Sequence, residues 1–147
     1  MIAQRVTLVT LGVSDMARAR RFYGAWGWSE AAESQPPEVV FYQLAGLVLG
    51  LYAHGMLARD QGRDDLAQGS GAVTLAVNFD AAAEVDAAFA TATGAGATVL
   101  APPAKQHWGG YVGYLADPDG HVWELAHNPF WPLGPDGELT LPSARPA

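Results

Sequence analysis

The chain opens on an alternation. Val9, Leu11 and Val13 fall on one side of an extended segment, and Leu8, Thr10, Gly12 and Ser14 fall on the other. That period of two is the pattern of a strand with one face buried. Directly afterwards Met16, Ala19, Phe22, Tyr23 and Trp26 recur at helical spacing, with Ser14 or Asp15 placed to cap the helix start. The same events then return. Val73-Thr74-Leu75-Ala76-Val77 repeats Val9-Thr10-Leu11-Gly12-Val13 at a spacing of 64, and Ala82, Val85, Phe89 and Ala92 form a second helical stripe with Asn78 or Asp80 as its cap. Gly94 and Gly96 stop that helix, a strand follows at 97–100, and Pro102-Pro103 breaks it. The halves also close alike: Gly46 to Tyr52 and Gly120 to Ala126 share Gly, Val and Leu at a spacing of 74. The ten extra positions of the second half are expected around 101–110.

Each half therefore reads as strand, helix and about three strands. The predicted fold is α+β: two βαβββ modules forming curled mixed sheets around a central cavity, with the helices outside. The first module spans 1–55 and the second 71–128, joined by a polar linker at 56–70 in which 56–67 could form a short helix. The tail, 129–147, holds five prolines and cannot be regular helix. Its Phe130 and Trp131 would be costly in water, so the tail is expected to pack on the body or on a partner subunit.

Parity separates a core face from a pocket face. One side of each opening strand is branched and apolar, suited to lie under a helix. The other side, with Thr10 and Gly12 in one half and Thr74 and Ala76 in its repeat, is small and partly polar, as a pocket wall is. In the closing strands Val122, Glu124 and Ala126 share a face, and Val48, Gly50, Tyr52 and His54 are their counterparts. Closed around one cavity, the halves would aim Glu124 and Tyr52 into it.

Composition narrows the chemistry. The 147 residues suffice for an independent core. With no cysteine there is no disulfide, thiolate nucleophile or Cys-type zinc site, which fits a cytoplasmic protein. The net charge of −7 and the scattered basic residues, only Arg18, Arg20 and Arg21 being clustered, speak against nucleic acid. No apolar run approaches the ~20 residues of a membrane span. Asp117-Pro118-Asp119-Gly120 reads as a turn, with its acids as turn formers.

The paired modules, the opening VTLGVSD and the segment GGYVGYLADPDGHVWELAHNP resemble the vicinal oxygen chelate superfamily of glyoxalases, extradiol dioxygenases and bleomycin-binding proteins. The resemblance covers nearly the whole chain to Pro129. It implies a divalent metal held at four equivalent places, one before each VTL segment and one in each closing strand, and commonly a homodimer. Those places are Leu8, Gly50, Ala72 and Glu124, and only Glu124 is a ligand type.

The expected function is therefore binding of a small aromatic or cationic molecule without the family's metal. The candidate ligand-binding residues are Thr10, Tyr52, His54, Thr74, Trp108, Tyr111 and Glu124. Trp108 and Tyr111 enter because they flank a Gly-rich loop that could act as a stacking surface. The alternative is a lyase, isomerase or dioxygenase of the glyoxalase type. It would use Glu124 as a catalytic base, or a metal on relocated ligands drawn from His54, His107, His121 and His127.

Overall fold

The computed structural model describes residues 1–67, 69 and 71–142. In order, the elements are β1 Leu8–Val13, α1 Met16–Ala25, β2 Val39–Gln43, β3 Val48–Ala53, α2 His54–Asp60, β4 Thr74–Asn78, α3 Ala82–Gly94, β5 Thr98–Lys105, β6 Tyr111–Ala116 and β7 Val122–His127. They form an α+β fold of two mixed sheets, one ordered β1-β3-β2 and the other β4-β7-β6-β5. In each sheet the opening strand runs parallel to the closing strand, and the remaining pairs are antiparallel. The sheets do not close on one another; β1 and β2 are the edges of the first, β4 and β5 those of the second.

The second half has all three strands after its helix. The first has two, and a lone bridge between Gln35 and Val39 stands where a further strand would begin. The reason is local: Pro36 and Pro37 supply no backbone donor there, so a ladder cannot extend through them. In the second half Pro102 and Pro103 do not end β5, contrary to expectation. β5 is an edge strand, and register shifts on either side of Ala101 carry the prolines past β6.

Helices α1 and α3 pack over one core shared by the two halves. Leu11, Val13, Phe22, Tyr23, Tyr42, Leu49 and Leu51 from the first half meet Val85, Phe89, Leu115, Trp123 and Leu125 from the second. Asp15 caps α1 by accepting a hydrogen bond from the Arg18 backbone N–H at 3.0 Å. Neither Asn78 nor Asp80 caps α3. Ala81 is the N-cap, and the Glu84 carboxylate turns back to accept from its N–H at 3.0 Å. No helix among the described residues is long and apolar enough to cross a membrane.

Candidate functional site

The face of each sheet turned away from α1 and α3 carries Thr10, Tyr52, Thr74 and Glu124. Cross-strand register fixes what lies beside what. In the first sheet Gly50 pairs with Thr10 on one side and Phe41 on the other. A Cβ built on Gly50 would lie 3.3 Å from the Phe41 ring and 3.6 Å from the Thr10 hydroxyl. The aromatic ring therefore occupies the space that a ligating side chain at Gly50 would need. In the second sheet Glu124 pairs with Ala76 and with Tyr114. The Tyr114 hydroxyl donates to Glu124 Oε2 at 3.2 Å. Burial, and then the Glu124 carboxylate, push Tyr114 above the usual phenol range, so it stays a neutral donor.

Register relates the two internal matches. Gly50 is level with Thr10, and two residues earlier stands Leu8. Glu124 is level with Ala76, and two residues earlier stands Thr74. With Gly50 matched to Glu124, Leu8 falls against Thr74; with Leu8 matched to Ala72, Glu124 falls against Tyr52, which is level with Gly12. The opening and closing matches agree in parity and differ by two residues in register. The Thr74 hydroxyl donates to the Gly71 carbonyl at 3.2 Å.

The donor set at the four family places is therefore a leucine, a glycine under a phenyl ring, an alanine or threonine, and one glutamate. It does not fit a divalent transition metal, which needs about three protein ligands of carboxylate or imidazole type. Relocation does not supply them. His54 Nε2 lies 2.8 Å from Asp65 Oδ1, which holds the Asp65 carboxyl below the usual range. His121 Nε2 contacts the Gly12 carbonyl at 2.8 Å and His127 Nδ1 the Phe79 carbonyl at 3.0 Å. No three His, Cys, Asp or Glu side chains among the described residues group as a metal site.

The remaining candidates are dispersed. Tyr52 is half-buried and donates to Asp60 at 2.9 Å, which pushes its hydroxyl up. His54 begins α2. Along with Leu57 and Leu66 it covers the first sheet above Gly12. Thr10 lines a pocket of about 310 Å3 at the seam of β1 and β4, with Ala72, Leu75 and Val122 on its wall and 67 and 69 of the linker beside it. Trp108 is 43% exposed, and its ring lies over Gly110 of its own loop. Tyr111 lies on the opposite face from Glu124. Its hydroxyl donates to Asp86 on α3 at 2.6 Å, because Tyr111 is one step out of phase with Tyr114. The second aromatic at the Glu124 face is Tyr114, and the signal for it was present in the sequence. A hairpin folded about Asp119 sets Tyr114 opposite Glu124.

The turn acids do more than shape a turn. Asp117 Oδ1 accepts from the backbone N–H groups of Asp119 and His121, each at 2.9 Å. Its Oδ2 accepts from the buried Tyr23 hydroxyl at 2.6 Å, and Trp123 Nε1 donates to the same hydroxyl at 3.1 Å. Asp119 Oδ1 accepts from the Ser14 N–H and hydroxyl at 2.9 Å each and from Arg18 at 3.3 Å. These are ties between the halves, away from the Glu124 face.

A family model described as Glyoxalase/Bleomycin resistance protein/Dioxygenase superfamily matches residues 5–125. A glyoxalase-related enzyme from Fulvimarina pelagi is 39% identical, with 95% of this chain and 99% of that one covered and a TM-score of 0.87. A lactoylglutathione lyase from Agrobacterium tumefaciens is similar in fold at 20% identity, with 88% and 97% covered and a TM-score of 0.67. A glyoxalase/bleomycin resistance protein/dioxygenase family enzyme from Burkholderia phytofirmans PsJN stands at 21% identity, with 82% and 96% covered and a TM-score of 0.71. No curated protein matches the chain.

Proposed function

Since this chain belongs to the glyoxalase/bleomycin resistance protein/dioxygenase superfamily, we propose that it binds a small aromatic or cationic organic molecule on its strand faces without the family's metal. The observation that carries this reading is the Phe41 ring packed over Gly50, in line with Glu124 as the one strong ligand left at the four places. A ring in place of a ligand offers a surface for stacking, and a half-buried carboxylate steadied by a phenol offers a counter-charge to an ammonium.

The strand faces are in part open, and Leu8 and Thr74 at the starts of the edge strands β1 and β4 are exposed, Leu8 by 46%. A second copy of the chain would cover them, giving a homodimer that encloses the ligand.

An enzymatic reading has one specific support, the 39% identical relative described as an enzyme. In that reading Glu124 takes a proton from the substrate and Tyr114 stabilises the negative charge by donating a hydrogen bond. Calorimetric titration with a panel of aromatic ammonium compounds, followed by assay for product, separates the two. Binding without turnover, weakened about tenfold in Glu124→Gln where the charge-assisted contact is lost, is the expected result. Turnover abolished by Glu124→Gln would establish the enzymatic reading. Stoichiometric metal lost in the same variant would overturn both.

A further inference from the structure

We propose that the cleft on the helix side of the module junction, walled by Trp26, Trp28, Tyr42 and Trp123, is a separate binding site for a small arylalkyl ammonium compound. Two adjoining hollows make up the cleft. The outer one, about 850 Å3, has Glu30, Asn78 and Asp136 at its margin and Tyr42 and Trp123 in its wall. The inner one, about 200 Å3, is bounded by Trp26, Ala88 and Leu125. Trp28 and Val77 border both, so the Trp28 indole stands at the passage between them.

Three features of this wall point to a ligand. The first is the arrangement of rings. Trp28 lies 5.3 Å from Trp26 at 87°, 5.7 Å from Tyr42 at 57° and 5.8 Å from Trp123 at 77°. Rings set steeply to one another present faces as well as edges, and ring faces attract a cation. The second is charge. Glu30 and Asp136 stand at the margin. Glu30 is paired with Arg20 through two hydrogen bonds, of 2.7 and 3.0 Å, which leaves Asp136 as the acid that faces a ligand cation.

The third is a pair of donors without acceptors. The Tyr42 hydroxyl and the Trp26 indole N–H are buried and unpartnered, and Tyr42 is only 1% exposed. Buried donors are satisfied in most finished cores, so two orphans in one cleft wall mark a place where a ligand acceptor atom would complete the structure. Burial pushes Tyr42 up to about 12, so its hydroxyl remains a donor at neutral pH. The ligand class follows from these groups: an aryl part sized for the inner hollow, an ammonium among the rings and acids of the outer one, and a polar atom for the orphan donors.

The test is a titration of the tryptophan indole N–H resonances with benzyltrimethylammonium, benzyl alcohol and benzenesulfonate. Saturable shifts at Trp26 and Trp28 are expected with the cation, weaker ones with the alcohol and none with the sulfonate. Trp108 serves as the distant control. Ala88→Phe fills the inner hollow without removing a wall, and should abolish saturation. Asp136→Asn lies at the exposed margin, where folding is not at stake, and should weaken the cation more than the alcohol. Undiminished binding in Ala88→Phe, equal losses for cation and alcohol in Asp136→Asn, or no saturable shift at Trp26 and Trp28 would overturn the proposal.

Discussion

Two tyrosine hydroxyls in the same core have opposite standing. Tyr23 accepts from Trp123 and donates to Asp117, whereas Tyr42 has no partner. Tyr23→Phe would leave a carboxylate oxygen and an indole N–H unpaired at once, at a cost of about 2 kcal/mol or more. Tyr42→Phe removes an orphan and should be within about 0.5 kcal/mol of neutral at pH 7. Both phenols are raised above the ordinary value of 10.0, Tyr42 to about 12 and Tyr23 well above it, chiefly by burial. The folded state thus holds these protons more tightly than the unfolded chain. Their contribution to stability is complete below pH 10 and is lost as pH rises through the folded values. Urea unfolding at pH 8 and pH 11 should show wild-type stability falling, and Tyr42→Phe should fall less steeply. An equal fall in both would mean that Tyr42 ionises as freely in the native state as in the unfolded one.

At the scale of the element, alternation decided what could be read. The parity of β1, β4 and β7 follows directly from their apolar residues, and it places Thr10, Thr74 and Glu124 on the strand face away from the helices. What parity cannot give is register. The match of VTLGV to VTLAV sets Ala72 against Leu8, while the match of the closing strands sets Thr74 there through the ladder, and a shift of two preserves the face either way. Tyr111 stands on the other face from Glu124 for a complementary reason. The phase of β6 is set by its pairing with β7, not by its own run of large residues. Proline reads unevenly for a similar cause, since an edge strand accepts what a central one refuses. The bulged passage of β5 also makes a prediction. Gly113 on β6 is buried, and a Cβ there would come within 2.9 Å of the Phe89 ring and 3.0 Å of the Pro103 backbone nitrogen. The backbone cannot yield as a side chain can, so Gly113→Ala should cost about 1–3 kcal/mol by overpacking. Gly94→Ala, with open space around its Cβ, gives the reference by the same urea unfolding.

For the whole molecule, the turn that identifies the family also joins its halves. Asp119 holds the β1–α1 corner through Ser14 and Arg18, Asp117 holds α1 through Tyr23, and His121 holds the end of β1 through the Gly12 carbonyl. All three ties leave one short segment of the second half and end within residues 12–23 of the first. With the core also shared across the junction, the halves should unfold together despite lying in two sheets that no ladder connects. Asp119→Ala tests this. The side chain is 2% exposed and gathers three donors, so its loss should cost about 2–3 kcal/mol. Arg18→Ala, which removes a half-exposed partner, should cost about 1 kcal/mol or less. Tryptophan fluorescence reports mainly the shared aromatic cluster and far-ultraviolet circular dichroism reports both sheets. In the wild type the two curves should coincide in urea, and Asp119→Ala should shift them to lower urea together. If the curves separate in the variant, each half has its own stability and the turn is the link that makes them one unit. A shift below about 0.5 kcal/mol would instead assign that cohesion to the apolar junction alone.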